Sequence, residues 1–218
     1  MSETLTLFSL PLFPLGAVLY PGGLLPLRIF EVRYLDMIGR CFKIGAPFGV
    51  VSLTQGSEVR RPQAATLGDG FENEAFNTVG TLASITDFSV PQPGLMEIRC
   101  AGLQRFKISS SEKLKHGLWV AEVRRLPDDM PVEIPEDLQS AANALGKLIK
   151  TLQQRLVAEH QMPFRPPYRL HDCGWVANRW CELLPLPVEV KQRLMELDNP
   201  LVRLELVSDI LGRNGIAF

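Results

Sequence analysis

The sequence predicts an α+β fold in which an antiparallel β-barrel is followed by a helical subdomain. Up to residue 126, short segments rich in β-branched and aromatic residues alternate with turn signals, which is typical of strands. From residue 135 onward, the apolar residues recur with a helical period. We therefore expect a barrel at 1–126 and helices at 135–218. The linker between them contains Pro127, Pro131 and several acidic residues.

The apolar opening segment, residues 5–30, predicts buried strands and not a membrane helix. Its only charge is Arg28, and four prolines and three glycines interrupt it. A membrane helix needs about 20 apolar residues with an internally bonded backbone, and each proline removes one donor. The cationic start of a secretory signal is also missing. Short buried strands separated by turns are the structure that fits this composition.

Further strand segments follow in the first part of the chain. They are expected at 48–53, 79–90, 95–101, 104–109 and 118–126. Turn signals such as Ala101-Gly102 separate them. Close-spaced strands with non-helical connections are typical of an antiparallel barrel or sandwich.

One helix is expected to interrupt these strands, and Gly45 is placed to end it. Its apolar residues recur at helical spacing, so that one face should be buried. The residues of this stripe are Phe30, Tyr34, Leu35, Ile38 and Phe42.

Four helices are expected after residue 135. The longest covers 138–156, because its leucines and alanines form one stripe behind Pro135 and two acidic residues that favour a helix start. Three prolines exclude a continuous helix over 161–172. The last helix begins with Asn199 as its cap and Pro200 at its first position. The shorter helices are expected at 174–184, 188–197 and 201–211.

The composition limits the classes of function. With 46% hydrophobic residues and a formal net charge of −1, the chain lacks the basic excess of generic nucleic-acid or membrane-surface binders. Its four cysteines include no C-x-x-C pair, which predicts reduced thiols in a cytoplasmic protein.

The charge is unevenly spread along the chain. Residues 97–125 hold seven Lys/Arg and three Glu, whereas residues 126–137 hold five acids and no base. Such blocks are usually a solvated strand face and an acidic linker. The alternative is that the basic 97–125 region faces RNA phosphates, in which case binding is strongly salt-dependent.

Several motifs resemble the amino-terminal substrate-recognition domain of Lon proteases, which also occurs as a free-standing protein. The opening LPLFPLGAVLYPGGLLPLRIFEVRY is similar to the family's opening, and VGTLASITD to one of its strands. AGLQRF resembles its G-x-x-R-F turn between two strands, and WVAEVRRLP its last barrel strand. Residues 183–211 are similar to its terminal helices. The matches cover most of the chain in the same order.

This resemblance implies a PUA-like β-barrel carrying a helical subdomain, and a role in binding. In full-length Lon proteases this region recognises substrates, while ATPase and protease domains do the chemistry. The chain has no G-x-x-x-x-G-K-[ST] loop, because Gly146-Lys147 is followed by Leu148. We therefore expect a non-catalytic module without a cofactor.

The partners implied are unfolded or partly folded polypeptides, whose exposed hydrophobic segments enter a groove near the barrel–helix junction. A separate protease or chaperone is a further candidate partner. No membrane is expected, and RNA is the alternative partner. The last helix, which is apolar on two sides, is buried either between layers or against a partner.

No set of residues predicts catalysis or a metal site. His171, Asp172 and Cys173 are adjacent and Cys181 follows, but a zinc site needs about four ligands at regular spacing. Asp172 is expected to cap the next helix, and the two cysteines to be buried. No base stands in a pattern that would activate a nucleophile.

Five residues are candidates for peptide binding. Phe71 and Phe76 lie in the long polar loop 54–77, where they either anchor an unfolded segment or fold back onto the barrel. Glu31, Arg33 and Tyr34 stand at the start of the first helix. They either line the mouth of a peptide groove or fix the helix to the barrel through an ion pair and a half-buried phenol.

Overall fold

A computed structural model of the chain describes residues 6–59, 73–155 and 162–216. The chain forms two compact units, Met1–Asp128 and Asp129–Phe218. The first unit is built of strands with one helix, and the second of helices. The predicted α+β class, a PUA-like barrel followed along the chain by helices, is confirmed.

The first unit contains seven strands and one α-helix in its described residues. In chain order they are β1 (Thr6–Leu15), β2 (Leu24–Ile29), α1 (Val32–Ile44), β3 (Phe48–Gln55), β4 (Ala75–Phe76), β5 (Val79–Gln92), β6 (Leu95–Lys113) and β7 (Trp119–Arg125).

The strands close into a ring in the order β1-β7-β6-β5-β3 and back to β1. The closing pair, β1 with β3, is parallel and runs from Leu12↔Gly49 to Leu15↔Ser52, whereas every other pairing recorded among the described strands is antiparallel. A parallel pair needs a crossover connection, and β2 with α1 supplies it. β2 pairs with the first half of β6, and β7 with the second half.

The turn predicted at Ala101-Gly102 is wrong, because β6 runs through it without a break. Gly102 is buried inside the strand and exchanges backbone hydrogen bonds with Gly22 and Gly23. A Cβ at this position would lie 2.1 Å from the carbonyl oxygen of Tyr20. The glycine therefore marks a close approach of two backbone segments and not a turn.

α1 ends where the sequence predicts, at Gly45 with a left-handed φ of 63°. Its buried face differs from the expected stripe, because Phe30 and Phe42 are exposed. The Phe42 ring instead stacks on Phe88, with 4.3 Å between centroids. The residues that α1 buries are Arg33, Tyr34, Met37, Ile38 and Cys41.

The second unit consists of a 3₁₀ turn and four α-helices in its described residues. They are the turn Glu136–Leu138, α2 (Gln139–Gln154), α3 (Cys173–Leu183), α4 (Val188–Glu196) and α5 (Pro200–Arg213). The predicted caps are both present, since the side chains of Asp172 and Asn199 accept hydrogen bonds from the first amides of α3 and α5. None of the described helices is long and apolar enough to span a membrane.

α5 buries one of its two apolar rows and leaves the other partly open. Leu204, Val207 and Leu211 are fully covered, whereas Val202 and Leu206 are exposed. Packing within the helical unit therefore accounts for only one side of this helix.

Candidate functional site

An apolar groove with a volume of about 690 Å³ lies in the barrel unit, beside β1, α1 and the connection from β6 to β7. We call it the α1–β1 groove. Its lining residues are Leu7, Phe8, Ser9, Leu10, Pro11, Val32, Arg33, Asp36, Met37, Arg40, Cys41, Ile44, Ala46, Pro47, Leu114, His116, Leu118 and Val120.

The rim of the groove exposes large apolar side chains to solvent. Phe8 and Val32 are each 73% exposed, and Ile44 is 76% exposed. Val32 and Ile44 stand on one strip of α1, at spacings of four residues with Asp36 and Arg40 between them. Clustered exposed apolar surface of this kind marks an interaction site more often than isolated exposed residues do.

The wall formed by β1 is an irregular strand. Its pairing with β7 shifts register between Leu7 and Leu10, which is the signature of a bulge. Ser9, inside this irregularity, has a φ of +53°, in the left-handed region that non-glycine residues rarely adopt. The pairing of β1 with β3 begins only at Leu12.

Four apolar residues that line the groove are buried, and we call them its floor. They are Leu10, Met37, Cys41 and Leu118. Burial raises the pKa of the Cys41 thiol, and its sulfur lies 4.0 Å from the Met37 sulfur. A raised pKa means less thiolate at neutral pH, so the buried Cys41 thiol contributes to the floor mainly by packing.

A buried ion-pair network includes Arg33, which lines the groove. The side chains of Arg33 and Glu74 are each 4% exposed, and their Nη2 and Oε1 atoms lie 3.0 Å apart. Arg33 also donates to the carbonyl of Gly117 and to Glu31, while Glu74 accepts from the indole N–H of Trp119. The network joins α1, the segment before β4 and β7, so its members hold the groove wall in place.

Several predicted site residues lie in the barrel's packing. The Tyr34 ring stacks on Phe13 at 4.1 Å, and Phe76 meets Trp119 edge-on at 5.2 Å. Among the four members of the predicted set that the structure describes, Arg33 alone lines the α1–β1 groove. Glu31 and Tyr34 border a smaller cavity next to β2, and Phe71 lies outside the described residues. Peptide binding by these five residues stays a prediction.

The sequence neighbours Asp172 and Cys173 have structural roles, whereas His171 is exposed. Asp172 accepts hydrogen bonds from the amides of Gly174 and Trp175, and it pairs with Arg169. Cys173 and Cys181 are buried, and burial raises the pKa of the Cys173 thiol. Within the described ranges, no three His, Cys, Asp or Glu side chains are grouped so as to hold a metal ion.

The basic 97–125 region is divided among different environments. Arg105 is buried, and Lys113 lies 3.8 Å from the carboxylate of Glu74. Lys107 and Arg124 are exposed and face each other across β6 and β7. Some basic side chains of this region, such as Arg105 and Lys113, are therefore buried in the barrel or paired with one of its carboxylates.

The sequence analysis missed the groove's rim residues. Phe8 is hidden in an apolar run that predicts burial throughout, and Val32 and Ile44 lie off the apolar stripe that was assigned to α1. The available signal was the strip of α1 in which two β-branched apolar residues, Val32 and Ile44, flank Asp36 and Arg40. A helix face that contacts only solvent does not require exposed β-branched apolar residues.

Comparisons with known proteins agree with the architecture. A family model described as the ATP-dependent protease La (LON) substrate-binding domain matches residues 9–213. The crystal structure of a Lon N-terminal domain protein from Xanthomonas campestris is 31% identical, with a TM-score of 0.66, over 93% of this chain and 98% of that one. The N-terminal domain of a Mycobacterium avium complex Lon protease, 18% identical with a TM-score of 0.57 over 92% and 96% of the two chains, shares the fold.

Two curated relatives are much longer than this chain. The chain is 27% identical over 210 residues to a Lon protease of Anaeromyxobacter dehalogenans and 25% identical over 215 residues to Lon protease 2 of Myxococcus xanthus. Each alignment covers 94% of this chain and 23% of the relative. The likeness therefore concerns one domain of those proteins.

Proposed function

This chain belongs to the family of Lon substrate-binding domains, and on that premise we propose that its α1–β1 groove binds exposed hydrophobic segments of unfolded or partly folded polypeptides. The observation that carries the proposal is the apolar rim of Phe8, Val32 and Ile44, which stays open to solvent above an apolar floor. A bound segment covers this surface and removes it from water.

Burial of apolar surface supplies the binding free energy, at about 25 cal/mol for each Å² removed from water. The cost of ordering an unfolded segment offsets much of this gain. The binding is consequently weak and tolerant of sequence, which suits a module that meets many different clients. A separate protease or chaperone that takes over the bound segment is part of the same proposal.

The activity proposed is binding without turnover. The Cys41 thiol in the groove floor has a raised pKa, and the Arg33 guanidinium is held by Glu74 and Glu31. The raised pKa leaves less of the Cys41 thiol as thiolate, and ion pairs occupy the Arg33 guanidinium, so neither feature favours a nucleophilic or basic role. Client selection in this proposal rests on surface complementarity.

Fluorescence anisotropy with a labelled, reduced and carboxymethylated polypeptide tests the proposal. We expect the double variant Phe8→Ser with Val32→Ser to bind about tenfold or more weakly, since each exposed apolar anchor contributes about 1 kcal/mol. The matched control is Val90→Ser with Leu103→Ser, because both residues are large, apolar and exposed in the barrel unit but do not line the groove. Equal affinity of the two double variants would contradict the proposal.

The same assay examines the aromatic residues of the 54–77 segment. Phe71→Ser measures whether this position, outside the described residues, adds to client binding. Phe76 packs on Trp119, so Phe76→Leu is the appropriate change because it keeps apolar volume. A loss of affinity at either position with unchanged thermal stability supports its role as a further anchor.

A further inference from the structure

We propose that the client segment binds as an added β-strand along the open edge of β1 at residues 7–11. The groove then selects extended, uncharged segments and holds them by main-chain hydrogen bonds as well as by apolar burial. This inference rests on the proposed function and narrows it to one mode of recognition.

The first observation is the open edge itself. β1 pairs with β7 from Thr6 to Leu12, but its pairing with β3 starts at Leu12. In the part of the chain that the structure describes, no strand is recorded on the second edge of β1 before Leu12. Backbone N–H and C=O groups on such an edge are a ready template for another extended chain.

The second observation is that the groove follows this edge. Five consecutive residues of β1, from Leu7 to Pro11, line it. Side chains of a strand alternate between its two faces, so a cavity that touches five in succession borders the backbone edge and not one face alone. At about 3.3 Å per residue this stretch is roughly 17 Å long, enough for a short extended segment.

The third observation is the irregular backbone at Ser9. Its left-handed φ of +53° lies within the register shift between Leu7 and Leu10. A non-glycine residue held in this region is strained, and such strain clusters at binding sites. Bulges also bend a strand locally, which fits an edge shaped to receive a partner at one place.

The charges around the groove fit an uncharged segment. Asp36 and Arg40 contribute one charge of each sign, and no ion pair of either is recorded among the described residues. The Arg33 guanidinium is satisfied by Glu74 and the Gly117 carbonyl. His116 also lines the groove and counts as neutral in the formal charge, so the lining has no net formal charge once Glu74 balances Arg33. Such a site neither attracts a phosphate backbone nor offsets the desolvation of a charged peptide.

Backbone-methylated peptides test the inference. The probe is a fluorescein-labelled nonapeptide of alternating Val and Thr with charged ends, compared with two versions that carry N-methyl groups on alternate residues along one edge or along the other. Only one peptide edge can face β1, so we expect one methylated version to bind tenfold or more weakly and the other to bind within about threefold of the parent.

Equal binding of the parent and both methylated peptides overturns strand addition. If the parent's affinity is still lowered by Phe8→Ser with Val32→Ser, the proposed function survives that result. Absence of peptide binding in a protein that binds the carboxymethylated polypeptide also overturns the inference. Absence of binding to both probes, with binding to a labelled RNA instead, overturns the proposed function itself.

Amide hydrogen exchange provides an independent readout on the intact chain. With the parent peptide at saturation, we expect at least one amide among residues 7–10 to exchange tenfold or more slowly. The amides that pair β5 with β6 serve as the internal control and should not change. Unchanged exchange at 7–10 with bound peptide contradicts main-chain pairing.

Discussion

Gly102 shows how a single residue position can be misread from sequence. A glycine between two apolar runs is typical of a turn, yet here the strand continues because the backbone at Tyr20 approaches it closely. The missing side chain makes room for the Gly22–Gly102 and Gly102–Gly23 hydrogen bonds. The requirement for glycine at position 102 therefore comes from the opening segment of the chain, some eighty positions away in sequence.

Gly102→Ala should destabilise the protein by about 3 kcal/mol, since a Cβ 2.1 Å from the Tyr20 carbonyl oxygen forces the backbones apart. The matched control is Gly212→Ala in α5, where nothing lies within 4 Å of the added methyl group. The control should raise stability by about 0.5–1 kcal/mol, because alanine loses less entropy in a helix. Urea unfolding of both variants checks the pair, and similar effects of the two changes would refute the close-contact explanation.

The thiols of the native protein should react slowly even in mild alkali. Burial raises the pKa of Cys100 to about 12, and it also raises the pKa of Cys41 and Cys173. Raised values mean less thiolate at a given pH, so raising the pH from 7 to 9 should accelerate labelling of the unfolded chain far more than that of the native one.

Aromatic disulfide reagents with and without denaturant measure this difference. Cys41 should be the first native thiol to react, because it lines the groove, and the carboxymethylated polypeptide should slow its reaction. Rapid native labelling of Cys100 would contradict the burial described here.

At the scale of one element, α1 is positioned by contacts on its buried face. Tyr34 stacks on Phe13 inside the barrel, and Arg33 joins the network with Glu74. These contacts turn the strip of Val32, Asp36, Arg40 and Ile44 toward the groove. Arg33 thus both fixes the helix and lines the groove, and peptide binding by this residue stays a prediction.

Glu74→Gln should lower stability by about 3 kcal/mol, because it leaves the buried Arg33 guanidinium without its main counter-charge. The glutamine oxygen can still accept from the Trp119 indole, so the loss reports on the charge. When Glu74→Gln is combined with Arg33→Met in a double-mutant cycle, more than half of the lost unfolding free energy should be recovered.

Glu97→Gln is the matched control for this ion pair. Its partner is Arg28, and the two side chains are 45% and 72% exposed at a distance of 3.1 Å. An exposed pair contributes at most about 1 kcal/mol, so the change in unfolding free energy should be small. If the exposed and the buried variant lost equal stability, burial of the Arg33–Glu74 pair would not be the cause.

At the scale of the whole molecule, the chain combines a net charge of −1 with an apolar groove. Binding through this groove should depend little on salt. We expect the affinity for the carboxymethylated polypeptide to change by less than about twofold between roughly 50 and 500 mM salt. Contact with several phosphates would lower affinity by nearly one log unit per log unit of salt for each phosphate, so a steep slope would favour the basic 97–125 region as the interface.

Much of the architecture could be predicted from local sequence. Helix bounds followed from the caps at Asp172 and Asn199 and from Gly45, because caps depend on residues within one turn. The strand content of the opening segment followed from its prolines, which exclude a helix. The continuity of β6 could not be predicted in this way, because it depends on which distant backbone segment lies against Gly102.

The sequence by itself determined the class of the fold, the order of its elements and the family to which it belongs. Only the tertiary structure decided which apolar residues stay open to solvent. Phe8 and Leu10 read alike in the sequence, yet Leu10 enters the core while Phe8 is left at the rim of the groove. The physical reason is that exposure depends on the pairing of β1 and the rotation of α1, and both are set by contacts between residues far apart in the chain.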